Sequence, residues 1–156
     1  MQVNSENSRT DPARETAALF LEAVKKGDSR TFWETLDKKG QGYFLGIWFY
    51  AMETMNVETI MSLTGEPGFL DGVLGPIISG LRESMGELLE NPRFGEVRYH
   101  TPHRVSIRVF SGQREDQDFI PLVLELCDGN DGSLEMNFTC WKIDTLHCFQ
   151  LNRGTH

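Results

Sequence analysis

The sequence lacks a long apolar segment and an excess of positive charge. Its 156 residues include 15 Lys+Arg and 23 Asp+Glu, which gives a formal net charge of −8 at pH 7. Proteins that bind nucleic acid or an anionic membrane usually carry a basic surface, so we expect neither partner. The polar opening residues, MQVNSENSRT, match neither a secretory signal nor a transmembrane helix, and we expect a cytoplasmic protein.

Cysteine is also scarce, with Cys127, Cys140 and Cys148 as its three positions. An odd number of cysteines in a cytoplasmic protein is typical of buried, reduced thiols. A disulfide between Cys140 and Cys148 across a hairpin is the less favoured alternative, because the expected compartment is reducing.

The chain has the length and the apolar content of one folded domain. A length of 156 residues suits a single core, and ten Phe with three Trp supply large side chains to fill it. We therefore expect one domain rather than a disordered chain.

The first part of the chain predicts helices. One helix begins at Asp11-Pro12, because Asp caps free amides and proline at the first helical position loses no hydrogen bond. Its apolar face continues until Gly27, which ends it. A second helix starts one or two residues later and is predicted to end near Gly40.

The middle of the chain predicts more helix with an interruption. Residues 43–63 are rich in aromatics and methionine, without strict alternation, and predict one or two helices. Residues 65–75, GEPGFLDGVLG, predict a loop or a short helical turn. Pro76 is then expected to open a helix that stops at Asn91-Pro92.

After Pro92 the period of the apolar pattern changes to two, which is typical of strands. Val105, Ile107 and Val109 form one inward row. A second inward row is predicted at Ile120, Leu122, Leu124 and Leu126. DGNDG at residues 128–132 favours a hairpin. Residues 134–151 predict two strands or one long strand with a bulge near Asp144. Helices followed by antiparallel strands indicate an α+β fold, with the N-terminal helices packed on a curved antiparallel sheet.

The helix pair ETAALFLEAVKKGDSRTFWETLD and the later WKIDTL resemble the nuclear transport factor 2-like (NTF2-like) superfamily. The resemblance covers residues 11–40 and 94–151, and it implies a half-open cone. It also implies one NTF2-like domain at 11–156 after a flexible segment at 1–10. Residues 43–63 depart from the family, which commonly places a strand there. The superfamily contains enzymes, scaffolds and adaptors, so the resemblance leaves the activity open.

The best-known isomerase chemistry of that superfamily is not expected here. The position of its first-helix tyrosine is Phe20, and a phenyl ring cannot donate a hydrogen bond to an oxyanion. Its general-base aspartate falls near Phe44 or Leu45, which cannot accept a proton.

Aromatic residues and one methionine are the candidate lining of an apolar pocket in the cone. Core packing explains them equally well. The candidates are Phe20, Trp33, Tyr43, Trp48, Tyr50 and Met52.

His100 and His103, in YHTPH, are candidate acid and base groups. Glu125 and Asp118 are candidate carboxylates, because a strand that projects them into a cone would raise their pKa. If the leucine row of their strand faces the helices, Glu125 is instead a solvated outer residue. The spacing of the two histidines does not match a zinc signature, so no metal site is predicted.

The first hypothesis is a cofactor-free domain that binds a small, mainly apolar ligand or serves as a homodimeric scaffold. The dimer surface is predicted on the outer sheet face, at Phe110, Val123, Trp141 and Phe149. The alternative is a cofactor-free lyase or isomerase that uses His100 or His103 with Glu125.

Overall fold

A computed structural model describes residues 11–111, 118–127 and 139–149. The predicted flexible segment 1–10 and the hairpin at 128–132 lie outside these ranges. The helices are α1 Pro12–Lys26, α2 Ser29–Thr35, α3 Lys38–Ala51, α4 Val57–Leu63, α5 Pro67–Met85 and α6 Thr145–Cys148, with a 3₁₀ turn at Gly86–Leu89. The strands are β1 Pro92–Thr101, β2 Arg104–Ser111, β3 Asp118–Leu126 and β4 Thr139–Ile143.

The first helix begins and ends as predicted. The Asp11 side chain accepts a hydrogen bond from Ala13 N at 2.9 Å, and Pro12 occupies the first turn. Gly27 closes the helix with a φ of 74°, a left-handed conformation that favours glycine. Asp28 then caps α2 by accepting from Thr31 N at 3.2 Å.

The predicted end of the second helix was wrong. α2 ends at Thr35, and Gly40 lies inside α3, whose N-cap is Asp37. A Cβ added to Gly40 would overlap the Thr145 side chain. This glycine therefore permits a close approach between two segments instead of breaking a helix.

Residues 43–63 form parts of two helices, α3 and α4, as predicted. The loop prediction for residues 65–75 was wrong, because α5 starts at Pro67 and carries Pro76 inside it. Leu70, Leu74 and Ile78 are buried at helical spacing on both sides of Pro76, which is itself exposed. Burial of this stripe keeps the helix continuous through the proline.

The strands form one open antiparallel sheet in the order β1-β2-β3-β4, and the predicted α+β fold is confirmed. Val105 and Ile107 of β2 pair with Leu122 and Ile120 of β3, and all four are buried. Helix α1 packs on this inner face and contacts all four strands. The core therefore lies between the curved sheet and the helices.

Two predictions for the closing segment need correction. The inward row does not extend to Leu126, which is 62% exposed. The chain also leaves the sheet at Asp144 and enters α6, so residues 145–148 form a helix and not a strand. Asp144 precedes the first residue of α6, and Asp is among the residues favoured at that position.

The predicted outer row of four apolar residues does not exist as one surface. The Phe149 ring lies 6.1 Å from Phe20 and 6.3 Å from Phe32, between ring centroids, so it packs with the core. Trp141 pairs with Leu124 and makes an edge contact with Tyr99, which places it with the inner-face residues. The helical turn after Asp144 changes the side-chain period, and Phe149 turns inward as a result.

The prediction of three reduced thiols was also wrong. Cys127 and Cys140 form a disulfide with a Cα–Cα distance of 5.8 Å, while Cys148 is a free thiol on α6. The antiparallel register explains the pair, because Glu125 lies opposite Cys140 and Cys127 follows two residues later on the same strand face.

Candidate functional site

A cleft of about 460 Å³ opens at the seam between the helices and the sheet. Its walls come from α2, the first turn of α3, the α4–α5 junction and the ends of β3 and β4. The side chains that matter for its chemistry are Arg30, Trp33, Lys38, Glu125 and Lys142, beside the disulfide.

The helical wall is held in place by two hydrogen bonds. Arg30 and Trp33 are three residues apart on α2 and share a face. Arg30 Nη1 donates to the carbonyl of Thr64 at 3.0 Å, which ties α2 to the end of α4. Gln41 Nε2 donates to the Trp33 carbonyl at 2.9 Å, which ties α3 to α2.

The sheet wall is joined to the helices by charged groups. Lys142 Nζ donates to the Glu34 carbonyl at 2.6 Å. Glu125 Oε2 accepts from the backbone N–H of Lys38 at 2.9 Å, at the start of α3. A carboxylate is favourable at a helix N-terminus, where backbone N–H groups lack partners.

The cleft lining is mainly polar and carries an excess of cations beside Trp33. Arg30, Lys38 and Lys142 contribute three positive charges, against the two carboxylates of Glu34 and Glu125. The Glu125 carboxylate already accepts a backbone hydrogen bond, whereas Arg30 uses one of its five donors on Thr64. The lining therefore suits a ligand that carries an anionic group and a smaller apolar part, which Trp33 and Leu126 can contact.

Two buried aspartates fix the seam beside the cleft. Asp37 Oδ1 accepts from Gly40 N at 3.0 Å and from Thr145 N at 3.2 Å, and Asp37 N donates to the Ile143 carbonyl at 3.0 Å. Residues 37 and 145 are 108 positions apart, so one carboxylate joins the two ends of the domain.

Asp144 is the second buried carboxylate. Its Oδ2 accepts from Arg104 Nη1 at 2.6 Å and contacts His147 Nδ1 at 2.9 Å. Arg104, Asp144 and His147 were not among the predicted candidate residues. The signal that was available is Asp followed by Thr at the end of a strand, which is a typical helix N-terminus.

The six predicted pocket residues do not line one cavity together. Phe20 is fully buried and stacks on Phe32 at 5.6 Å between ring centroids, so it belongs to the core. Trp33 and Trp48 stack on each other at 5.3 Å. Tyr43 and Tyr50 are 41% and 83% exposed. Met52 is half-buried at the end of α3. Of the six, Trp33 lines the cleft.

The predicted acid and base groups are also apart. His100 Nε2 contacts Ser106 Oγ at 2.9 Å, and exposed His103 lies in the β1–β2 turn. Asp118 is exposed at the start of β3. Glu125 instead reaches across β4 to the start of α3, so its carboxylate is engaged away from that turn. Glu125 is thus the one member of the set that lines the cleft.

Among the described residues, two titratable groups have clearly shifted pKa values. Burial raises the pKa of the Cys148 thiol from 9.0 to about 12, and the nearby Asp144 carboxylate adds to the shift. Hydrogen bonds from the Thr31 side chain and backbone lower the pKa of Asp28. Cys148 is therefore a neutral, poorly nucleophilic thiol near neutral pH.

The described residues give no direct indication of a metal site or of a membrane-spanning helix. In the ranges that the structure describes, no group of three or more His, Cys, Asp or Glu side chains is arranged to hold a metal ion. None of the helices in those ranges is long and apolar enough to cross a membrane.

Comparison with known proteins gives no relative. The chain matches no protein-family model, no curated protein and no solved structure. The resemblance to the NTF2-like superfamily therefore stays a prediction, and the class that the structure defines is an α+β domain with a cleft at the helix–sheet seam.

We predict that an alkylating reagent can label Cys148 without prior reduction, whereas Cys127 and Cys140 must first be reduced. In unfolded protein kept oxidised, iodoacetamide should label Cys148 alone, while prior reduction should allow labelling of all three cysteines. In folded protein Cys148 should react slowly at pH 8, because its pKa is raised to about 12. Mass spectrometry counts the adducts. Three adducts without reduction would contradict the disulfide.

Proposed function

We propose that the protein binds a small ligand, without a cofactor, in the cleft at the helix–sheet seam. The supporting observation is the juxtaposition of Trp33 with Arg30, Lys38 and Lys142 around about 460 Å³. The sequence predicted a mainly apolar ligand, and the three cations add a preference for a negatively charged end. A carboxylate or sulfonate on an aromatic or aliphatic body fits this chemistry.

Binding can be measured with 1-anilinonaphthalene-8-sulfonate, which has an apolar body and an anionic group. Its fluorescence should rise on binding, and Arg30→Gln should weaken the affinity about tenfold through loss of a charge-assisted hydrogen bond. Lys39→Gln is the matched control, because Lys39 is exposed beside Lys38 but does not line the cleft.

Near-UV circular dichroism of each variant checks that the probe reports the folded cleft and not a loosened core. An unchanged affinity in Arg30→Gln, or equal losses in both variants, would refute the cleft as the binding site.

The lyase or isomerase alternative gains no support from the geometry. It requires a histidine and a carboxylate in one cavity. His100 faces Ser106 on the sheet, and the Glu125 carboxylate is bound to the start of α3. We therefore favour binding over catalysis by this set.

The homodimer stays a prediction, and the surface that we propose for it is an exposed face of α3. Tyr43, Ile47 and Tyr50 are exposed at spacings of four and three, so they share one face of this helix. Ile47→Glu should shift the molecular mass in light scattering from dimer to monomer. Leu19→Glu, on exposed α1 surface, should leave it unchanged. A wild-type chain that stays monomeric at high concentration would exclude the dimer.

The predicted cytoplasmic location also stays a proposal. A disulfide between Cys127 and Cys140 is more typical of an oxidising compartment. The cysteine labelling described above, performed on protein taken directly from cells, distinguishes the two environments.

A further inference from the structure

The outer face of the sheet carries a group of arginines and phenylalanines, none of which lines the cleft. Val105, Ile107 and Val109 point inward, so the alternate residues of β2 point outward. Paired residues of neighbouring strands share a face. The pairs Arg93–Phe110, Arg98–Ser106 and Arg108–Phe119 are therefore all on the outer face. We call Arg93, Arg98, Arg108, Phe110 and Phe119 the arginine–phenylalanine patch.

Two guanidinium groups of the patch lie over phenylalanine rings in cation–π contacts. The Arg93 Cζ lies 5.0 Å from the centroid of Phe110, and the Arg108 Cζ lies 5.8 Å from that of Phe119. Stacking restricts these long side chains, which lowers the entropy lost when they bind a partner. The N–H groups at the edges of a stacked guanidinium remain suited to a carboxylate or phosphate.

Among the described residues, carboxylates are sparse on the outward positions of β2 and β3. The outward positions of β2 and β3 carry one acid, Glu125, and its Oε2 accepts from the Lys38 amide. Glu96 lies in the irregular stretch of β1 between Phe94 and Val97. The patch is thus a local concentration of positive charge on a chain whose net charge is −8.

The charge and the stacking together favour a protein segment over a nucleic acid. The Phe110 and Phe119 rings are stacked with guanidinium groups, which compete with the base stacking that single-stranded nucleic acids need. A long polyphosphate would also be repelled by the net charge of −8. A short segment with a few carboxylates meets less repulsion, and its apolar residues can contact Phe119, which is 45% exposed.

We propose that the arginine–phenylalanine patch binds a short acidic segment of a partner protein, in which Asp or Glu alternate with apolar residues. The carboxylates pair with the guanidinium groups, and the apolar side chains contact Phe119 and its neighbours. This interaction surface is independent of the ligand cleft, since none of the patch residues lines it.

Fluorescence anisotropy tests the proposal with a labelled peptide of alternating glutamate and leucine. The Arg98→Gln/Arg108→Gln double variant should weaken binding about tenfold or more, because two charge-assisted contacts are lost. Lys25→Gln/Lys26→Gln removes the same charge from exposed positions of α1 and should bind like wild type. The Arg98→Lys/Arg108→Lys variant should fall between them, because it keeps the charge and loses the planar fork.

A peptide with glutamine in place of glutamate, and a labelled oligouridine of equal length, are the comparison probes. Weaker binding of both than of the acidic peptide would support the proposal. Tighter binding of the oligouridine than of the acidic peptide would overturn the proposal and indicate that the partner is a nucleic acid. No binding of the acidic peptide to the wild type, or equal losses in the arginine and lysine double variants, would overturn the proposal.

Discussion

The Asp37 carboxylate accepts hydrogen bonds from the backbone N–H groups of Gly40 and Thr145, and the packing of the two halves of the domain depends on this contact. Both Asp37 and Thr145 are buried, so an unsatisfied N–H there would cost about 1–3 kcal/mol. The same aspartate donates its own N–H to Ile143, the last residue of β4. The absence of a side chain at Gly40 lets α3 come close enough for all three bonds.

The position of the candidate site depends on this contact between Asp37, Gly40 and Thr145, which we call the junction. With the start of α3 fixed against the end of β4, Lys38 lies where the Glu125 carboxylate can accept its amide N–H. Glu34 and Lys142 then face each other across the same seam. The cleft is the space that remains between α2 and the ends of β3 and β4, and Arg30 and Trp33 border it from the helical side. The arginine–phenylalanine patch occupies outward positions of β1, β2 and β3, on the face opposite to that on which α1 packs.

Local patterns predicted the parts of the fold that local chemistry controls. Asp11, Pro12 and Gly27 predicted α1, and the alternation around Val105 predicted β2, because caps and side-chain period act within a few residues. The local structure at Gly40, Pro76 and Asp144 differs from the prediction, because each is decided by a distant partner or by burial of a longer stripe. Trp33 and Glu125 were candidates for separate reasons, and only the three-dimensional fold brings them to one cleft. The disulfide depends on the register of β3 and β4, which the cysteine spacing alone does not determine.

The close contact between Asp37, Gly40 and Thr145 is tested most directly by the free energies of unfolding of the Gly40→Ala and Gly42→Ala variants. Gly40 and Gly42 both lie in α3, but a Cβ at Gly42 would have no atom within 4 Å, whereas one at Gly40 would overlap Thr145. Urea denaturation should show Gly40→Ala destabilised by about 1–3 kcal/mol through overpacking. Gly42→Ala should be stabilised by up to about 1 kcal/mol, because alanine is the better helix former. Equal free energies for the two variants would contradict the close junction of Asp37, Gly40 and Thr145.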